Sequence, residues 1–436
     1  MAAVFAAAGF DVVPFGQPAE CVVFNTCTVT SKAEQKARRE MRLVPVGSPG
    51  AVVVITGCYA QLEPDALAAV APRSVVLPGS RKDRMGAVAA AVAEAFFAGC
   101  DPLDAARAAA RDASAAPPAP SDPFAYTAAG PASRSRAVLK VEDGCDNACA
   151  YCRVSIARGP AASLDPAEVV ARARALEAAG LPEIVLTGVN LSQYRAGGLD
   201  FPGLLATLVR ETASVAYRIS SYEPDRVDDA FLAAFALPRI RPHVHLAAQS
   251  GSDAVLAAMG RRYGAGDLVR AVESLRAVRI DPFVGLDLIL GFPGETDVHF
   301  KETMDTLERV DPAWVHAFTF SPRPGTRAWD MKPRVPERVA AERAAAVGDL
   351  ARRGKARFAA RRLGTELEAV AERSGGGGAG ESARGGFLTA VSADYLKLAV
   401  RGAPAGLSGA FRCRVIALGA VGNDASDLVA QYIGHL

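Results

Sequence analysis

Lysine is scarce in this 436-residue chain, supplying eight of its 49 basic residues and leaving the rest to arginine. Coding composition accounts for such a bias as readily as function does. A surplus of one charge is also missing. The 49 basic residues face 47 acidic ones, for a net charge of +2, so no global field dictates a partner. Any affinity for nucleic acid has to come from local patches. Long apolar runs are absent too. A membrane helix needs about 18–20 apolar residues, and the longest candidate, residues 87–100, is interrupted by Glu94. The N-terminus, MAAVFAAAGFD, has no basic stretch of the kind that opens a signal peptide. A cytoplasmic protein with no membrane segment is the expectation. Half of the residues are hydrophobic and 22% are charged, which excludes a wholly disordered chain. The length allows two to four domains.

The chain has eight cysteines: Cys21, Cys27, Cys58, Cys100, Cys145, Cys149, Cys152 and Cys413. In a long cytoplasmic chain, metal binding or catalysis explains cysteines better than a disulfide framework does. The first region alternates helical and strand-like stretches. Residues 2–8 read as a helix stopped by Gly9, residues 10–15 as a short strand, and CVVFN (21–25) as a buried strand. Residues 32–43 read as a charged helix, AVVVIT (51–56) as a second buried strand and 74–77 as a third. Continuous β-branched runs between helices imply a parallel, doubly wound sheet. Cys27 and Cys58 then fall just past the C-terminal ends of two strands, the edge at which open α/β sheets bind ligands. They could share a metal there, or both be buried structural thiols. The chain opens inside a helix with no strand before it, so a start downstream of the true one is expected.

Residues 100–134 are rich in Ala, Pro, Ser and Asp and read as a linker with one helical turn at most. From 135 to 345, strand and helix signals alternate. Strands are expected near 137–141, 183–186, 217–221, 243–247, 285–289 and 314–320. About six β/α repeats fit a full or partial parallel barrel. A basic helical segment (346–372) and a glycine tract (375–378) follow, and the tail carries short alternating runs that suggest a small antiparallel β-barrel within 373–436.

The strongest local signal is VEDGCDNACAYC (141–152), in which Cys145, Cys149 and Cys152 have the spacing C-x3-C-x2-C. Structural zinc sites take four protein ligands, and no fourth Cys or His lies nearby in sequence. A 4Fe–4S cluster held by three thiolates leaves one iron open to a small chelating molecule.

That spacing, with Tyr151 before the last cysteine and after the first strand of a β/α barrel, resembles the radical S-adenosylmethionine (SAM) superfamily. NTCTV (25–29), GCYAQ (57–61), TGVNLSQY (187–194), SSYEPDRV (220–227) and the 243–263 stretch are similar to one branch of it, the methylthiotransferases. So are DLILGFPGET (287–296) and SPRPGTRAWDM (321–331), and the tail FLTAVSADYLKLAV resembles the TRAM barrel that ends these enzymes. Three readings of substrate stay open: threonylcarbamoyl- or isopentenyl-adenosine beside the tRNA anticodon, or an aspartate of a ribosomal protein. Ala-Asp-Tyr395-Leu396 and the NTCTVTSKAEQKARR segment most resemble the threonylcarbamoyl branch. An iron–sulfur RNA-binding homologue without chemistry is the fourth.

The resemblance implies two 4Fe–4S clusters and SAM. One cluster, on Cys145, Cys149 and Cys152, cleaves SAM to a 5′-deoxyadenosyl radical that takes hydrogen from C2 of the adenine. The other, on Cys27 and Cys58, carries the sulfur that SAM methylates. The family's third N-terminal cysteine has no counterpart here. Cys21 stands at the wrong end of its strand, about 20 Å from Cys27 at ~3.3 Å per residue, and reads as structural. Cys100 and Cys413 read as inert. Arg153-Val-Ser-Ile156 replaces a more apolar, Pro-containing stretch, whereas Arg158 and Gly159 follow the family pattern.

Tyr151, Gly188, Ser220, Glu223 and Gln249 are candidates for contacting SAM, or else turn and capping residues. His243 and His245 share a strand face and read as satisfied barrel residues. GFPGET lacks the Lys-Ser/Thr pair of a phosphate loop and reads as a turn opening a helix. Arg352, Arg353, Lys355, Arg357, Arg361 and Arg362 suit RNA phosphates or form a solvated helix face. The implied partners are a tRNA anticodon loop, whose single-stranded adenine is cheap to extrude, and an electron donor such as flavodoxin or ferredoxin.

Overall fold

The computed structural model describes residues 1–111, 123–124, 135–372, 383–384, 387–419 and 426–436. The chain divides into two compact units. One is Met1–Thr127 with Tyr151–Pro160 and Ser321–Trp329. The other is Ala128–Ala150, Ala161–Phe320 and Asp330–Leu436.

The first unit is built on a three-stranded parallel sheet in the order β1 (Cys21–Thr26), β2 (Val52–Gly57), β3 (Ser74–Val76). All of β2 is buried, because its alternating side chains enter two separate cores. Val52 and Val54 pack with Phe5, Met85, Val88, Val92 and Leu103 on one face. Val53 and Ile55 pack with Phe24, Met41, Tyr59 and Leu67 on the other. Helices therefore cover both faces, as the apolar runs imply. Two expectations fail. Residues 10–15 form no strand; Pro14 removes a ladder donor and Gly16 turns the chain at φ +98°. Part of the expected linker is the helix Pro102–Arg111, which buries Leu103 and Ala106 in the first core.

The second unit holds six parallel strands: β4 (Ala137–Lys140), β5 (Glu183–Thr187), β6 (Ala216–Ile219), β7 (His243–Gln249), β8 (Phe283–Leu290) and β9 (Trp314–Thr319). They form two three-stranded sheets, β4-β5-β6 and β7-β8-β9. Bridges from Tyr217 to Ile240 and from Tyr222 to Leu246 link β6 to β7, so the array is a partial barrel. Along β7, Val244, Leu246 and Ala248 are fully buried and alternate with partly exposed His245, Ala247 and Gln249, which share the face of His243. The register against β8 slips between Leu246 and Gln249, and Gln249 ends β7 at φ +61°. Thr296 caps the helix Asp297–Val310 by accepting from His299 N–H, so GFPGET is a turn before a helix.

A long helix, Glu337–Ala360, leads to a second barrel. Its strands are β10 (Glu366–Ala371), β11 (Phe387–Ser392), β12 (Lys397–Arg401), β13 (Ala410–Leu418) and β14 (Leu428–His435). The order β10-β13-β14-β12-β11 closes through a β10–β11 pairing around Leu396, Leu398, Val400, Phe411, Cys413, Val415 and Leu428. It is antiparallel except for one parallel pair, β12 with β14. The glycine tract lies outside the described residues.

Candidate functional site

In the first unit, β1 and β2 pair Thr26 with Gly57, so Cys27 and Cys58 follow two residues that lie side by side. Only glycine fits at 57, where φ is +104° and a Cβ would lie 2.2 Å from the Thr26 carbonyl oxygen. The Thr26 hydroxyl donates to the Thr56 carbonyl (2.6 Å) and accepts from Ala60 N–H (3.2 Å), fastening the two turns together. Val29 N–H donates to Cys27 Sγ (3.4 Å), and Arg158 Nε donates to Cys58 Sγ (3.3 Å). Arg158 lies on the short helix Val154–Arg158, which follows Cys152. Cys152 Sγ accepts from Val154 N–H (3.4 Å), and Arg153 pairs with Glu63 (3.4 Å) and Glu34 (3.9 Å). The substituted residue 153 is thus an ion-pair anchor. Tyr151 is half-buried in this unit.

In the second unit, Cys145 and Cys149 follow β4. Cys145 Sγ accepts from Asn147 N–H (3.4 Å) and from Asn190 Nδ2 (4.0 Å). Cys149 Sγ accepts from Arg261 Nη1 (3.1 Å). Arg261 also grips Glu223, which in turn accepts from the side chains of Asn147 (3.3 Å) and Asn190 (3.4 Å). Burial, only partly offset by Arg261, pushes the Glu223 carboxyl up to about 7. Burial likewise pushes Glu142 up to about 7, against the N–H groups of Asn190 and Val189. Gly188 leaves room for that carboxyl: a Cβ there would lie 2.5 Å from Glu142 Oε2. Two carboxyls with raised pKa beside a cysteine loop, at the C-terminal strand ends, make this the candidate functional site.

The structure therefore gathers Gly188, Glu223, Cys145 and Cys149 in one neighbourhood. Ser220 and Gln249 end β6 and β7, and no hydrogen bond joins either of them to that group. Glu142, Asn147, Asn190 and Arg261 went unmarked in sequence; Asn190 and Arg261 lie inside the conspicuous segments TGVNLSQY and 243–263. Cys21 is mostly buried, which pushes its thiol up to about 12, and buried Cys413 is pushed equally high for the same reason. Cys100 is exposed, and its sulfur donates to the Ala98 carbonyl (3.9 Å).

Five of the six basic residues expected to meet RNA are held by carboxylates: Arg352 by Asp349, Lys355 by Asp427 (2.7 Å), Arg357 by Asp311, Arg361 by Asp281 (2.8 Å), and Arg362 by Asp281 (2.7 Å) and Asp394 (2.5 Å). Exposed Arg353 has no carboxylate partner among the described residues. His245 pairs with Asp287 (2.9 Å), and His243 Nδ1 is buried with no hydrogen-bond partner among the described residues.

Residues 139–307 match the Radical SAM superfamily, and residues 1–79 match an uncharacterized protein family, UPF0004. A threonylcarbamoyladenosine tRNA methylthiotransferase of Treponema pallidum is 42% identical over 422 residues, covering 86% of this chain and 88% of that protein. The Thermotoga maritima protein of the same name is 36% identical, over 84% and 81%. This chain belongs to the radical SAM methylthiotransferases. A tRNA-2-methylthio-N(6)-dimethylallyladenosine synthase of Erythrobacter litoralis is 32% identical, over 84% and 81%. Among solved structures, the radical SAM methyltransferase TsrM of Kitasatospora setae is 17% identical at a TM-score of 0.48, spanning 72% of this chain and 64% of that one.

Members of this transferase family work with 4Fe–4S clusters and SAM. The donor chemistry of this methylthiotransferase fits. All three loop cysteines are free thiols that are neither fully buried nor fully exposed, and each accepts an N–H hydrogen bond. Such bonds stabilise cluster thiolates. Among the described residues, no three His, Cys, Asp or Glu side chains close around a single ion. Three thiol donors with no fourth Cys or His nearby in sequence are the donor set of a cluster that keeps one iron open. Among the described residues, no helix is long and apolar enough to cross a membrane.

Proposed function

We propose that this enzyme inserts a methylthio group at C2 of N6-threonylcarbamoyladenosine next to the tRNA anticodon. The observation that carries the reading is the three-cysteine loop beside Glu223 and Arg261, in a chain matched over most of its length by proteins named for that modification. Cys145, Cys149 and Cys152 hold the radical SAM cluster. Cys27 and Cys58 hold an auxiliary cluster. Bound together, the clusters and SAM supply the radical and the methylthio group.

The chain's own residues do the positioning. Arg261 and Asn190 hold the cysteine loop and Glu223 in one arrangement. Glu223 is an anchor for the amino group of SAM. Gly188 leaves the space that Glu142 needs, and Gln249, at the end of β7, is a further SAM contact. The C-terminal barrel is a TRAM-like RNA-binding module, and exposed Arg353 is a free phosphate contact next to it. A small electron-transfer protein such as flavodoxin or ferredoxin would supply the electron that a cluster held there needs.

Mass spectrometry of tRNA nucleosides from a strain lacking the gene tests this. The methylthio form of threonylcarbamoyladenosine disappears, and the methylthio form of isopentenyladenosine persists. Loss of the isopentenyl form alone assigns the enzyme to the other adenosine and refutes the proposal.

A further inference from the structure

β9 is the last strand of the partial barrel; it pairs with β8 and, among the described residues, with no other strand. Along it, Trp314, His316 and Phe318 alternate with Val315 and Ala317, so the three rings share one face. That face is the lumen, because the His316 ring meets the ring of His245 on β7, with centroids 5.2 Å apart. Gly285 of β8 makes this reach possible. It pairs with His245 in register, and a Cβ there would lie 2.7 Å from His245 Nδ1. With no side chain in the way, His245 lies over β8 and its Nε2 meets Asp287 (2.9 Å).

The rings are held at one end of the row and open at the other. Trp314 opens the strand, with Lys355 Nζ over its ring at 5.3 Å, and its Nε1–H donates to His316 Nδ1 (3.2 Å). His316 is thereby fixed with its proton on Nε2. Partial burial, together with His245, lowers its pKa, so the ring is uncharged at pH 7. It lies within 24° of parallel to the ring of Phe318, with centroids 6.3 Å apart. Both rings are open to solvent, Phe318 at 47%. A single exposed phenylalanine calls for no explanation. This one, however, continues a pre-oriented stack that runs up the lumen to the C-terminal strand ends. Cys145 and Cys149 follow β4 at that same end of the barrel.

We propose that Phe318 and His316 form the platform on which the target adenine stacks once it leaves the anticodon loop. The inference rests on the tRNA adenosine reading above and adds the residues that receive the base. Unpaired bases of single-stranded RNA are bound by stacking on aromatic side chains, since every base has a π-face. A stack already fixed by Trp314 loses little side-chain freedom on binding. The polar surround, His245 paired with Asp287, suits the edge of a nucleobase. A partner protein would call for a wider apolar area than these two rings offer. The position at the C-terminal strand ends brings the base to the face where barrel chemistry occurs.

The test measures binding of fluorescent anticodon stem-loops to the full-length, cluster-reconstituted protein with SAM. Three probes share one sequence and differ at the target position: N6-threonylcarbamoyladenosine, N6-isopentenyladenosine or an abasic residue. Wild-type protein binds the first about tenfold or more tightly than the abasic probe, the usual worth of stacking one base on an aromatic ring. Phe318→Ala loses most of that preference and binds the abasic probe as wild type does, which also shows that the variant is folded. Phe318→Tyr keeps the preference. His316→Ala, which leaves Phe318 in place, reduces it by a smaller factor. If both alanine variants keep the wild-type ratio, or wild-type protein binds the first and abasic probes alike, the proposal falls while the substrate reading survives. Equal weakening of both probes by Phe318→Ala also refutes it, because the ring then serves the fold and not the base. If wild-type protein prefers the isopentenyl probe and Phe318→Ala abolishes its advantage over the abasic one, the platform stands and the threonylcarbamoyl reading has failed.

Discussion

Replacing Glu183 by alanine is the sharpest probe of how the two barrels of the second unit are joined. Glu183 is 1% exposed and lies between three arginines: Arg218 Nε at 2.8 Å, Arg241 Nε at 2.9 Å and Arg136 Nη1 at 4.0 Å. The same arginines reach the C-terminal barrel, Arg218 at the Ser392 carbonyl, Arg241 at Glu368 (2.7 Å) and Arg136 at Glu372 (3.2 Å). Removing the carboxylate strands the buried guanidinium of Arg218, whose remaining partner is one carbonyl. Breaking a buried pair in this way costs about 3–5 kcal/mol. At about 2 °C per kcal/mol for a large unit, thermal unfolding should fall by about 6–10 °C. Burial alone would raise the Glu183 pKa, but Arg218, Arg241 and Arg136 outweigh it and hold it below the ordinary carboxylate value. Because the folded pKa is the lower one, this stabilisation is present above the unfolded value near 4.5 and is lost as pH falls through the folded value. Melting curves of wild type and Glu183→Ala, recorded by circular dichroism from pH 7 downward, should converge only in acid. A loss under about 1 kcal/mol at pH 7, the worth of an exposed pair, would refute the buried-pair reasoning.

Other outcomes follow from the same geometry. Glu142 has the opposite sign: its folded pKa, about 7, lies above the unfolded value, so its contribution is full below about 4.5 and is lost as pH rises through 7. Glu142→Gln should therefore gain on wild type in urea titrations between pH 5 and 8 and show no further gain above that; a gap that does not change with pH contradicts this. Cys27→Ala with Cys58→Ala should leave reductive cleavage of SAM intact and abolish methylthio formation, read by mass spectrometry of the RNA; loss of both activities would contradict separate roles for the two cysteine sets. Arg362→Ala, which removes the arginine from buried Asp394 and leaves Asp281 to Arg361, should lower the melting temperature. Arg353→Ala should not, but it should reduce the salt slope of tRNA binding by about one; an unchanged slope removes Arg353 from the interface.

What the sequence revealed depended on how local each signal was. The spacing of Cys145, Cys149 and Cys152 lies within one loop, and the apolar run at 51–56 carries its own length and composition. Both were legible directly. The same pattern reading took residues 10–15 for a strand because its apolar count outweighed Pro14 and Gly16. It missed the helix Pro102–Arg111 because alanine-rich composition masked a buried stripe of Leu103 and Ala106. The arginines of 352–362 illustrate the other limit. Apart from Asp349, one turn from Arg352, the carboxylates that hold them and Lys355 (Asp281, Asp311, Asp394 and Asp427) are scattered over the chain, and only the fold brings them to that segment. Glu183 and its arginines were hidden for the same reason.

The central claim is that Cys145, Cys149 and Cys152 grip a cluster that binds and cleaves SAM. Its most direct test is anaerobic reconstitution with iron and sulfide, reduction with dithionite and assay of 5′-deoxyadenosine without RNA. Wild-type protein should form the nucleoside, and the variant with all three cysteines changed to alanine should form none and lose one cluster's worth of iron. A triple variant that still cleaves SAM at the wild-type rate would contradict the account.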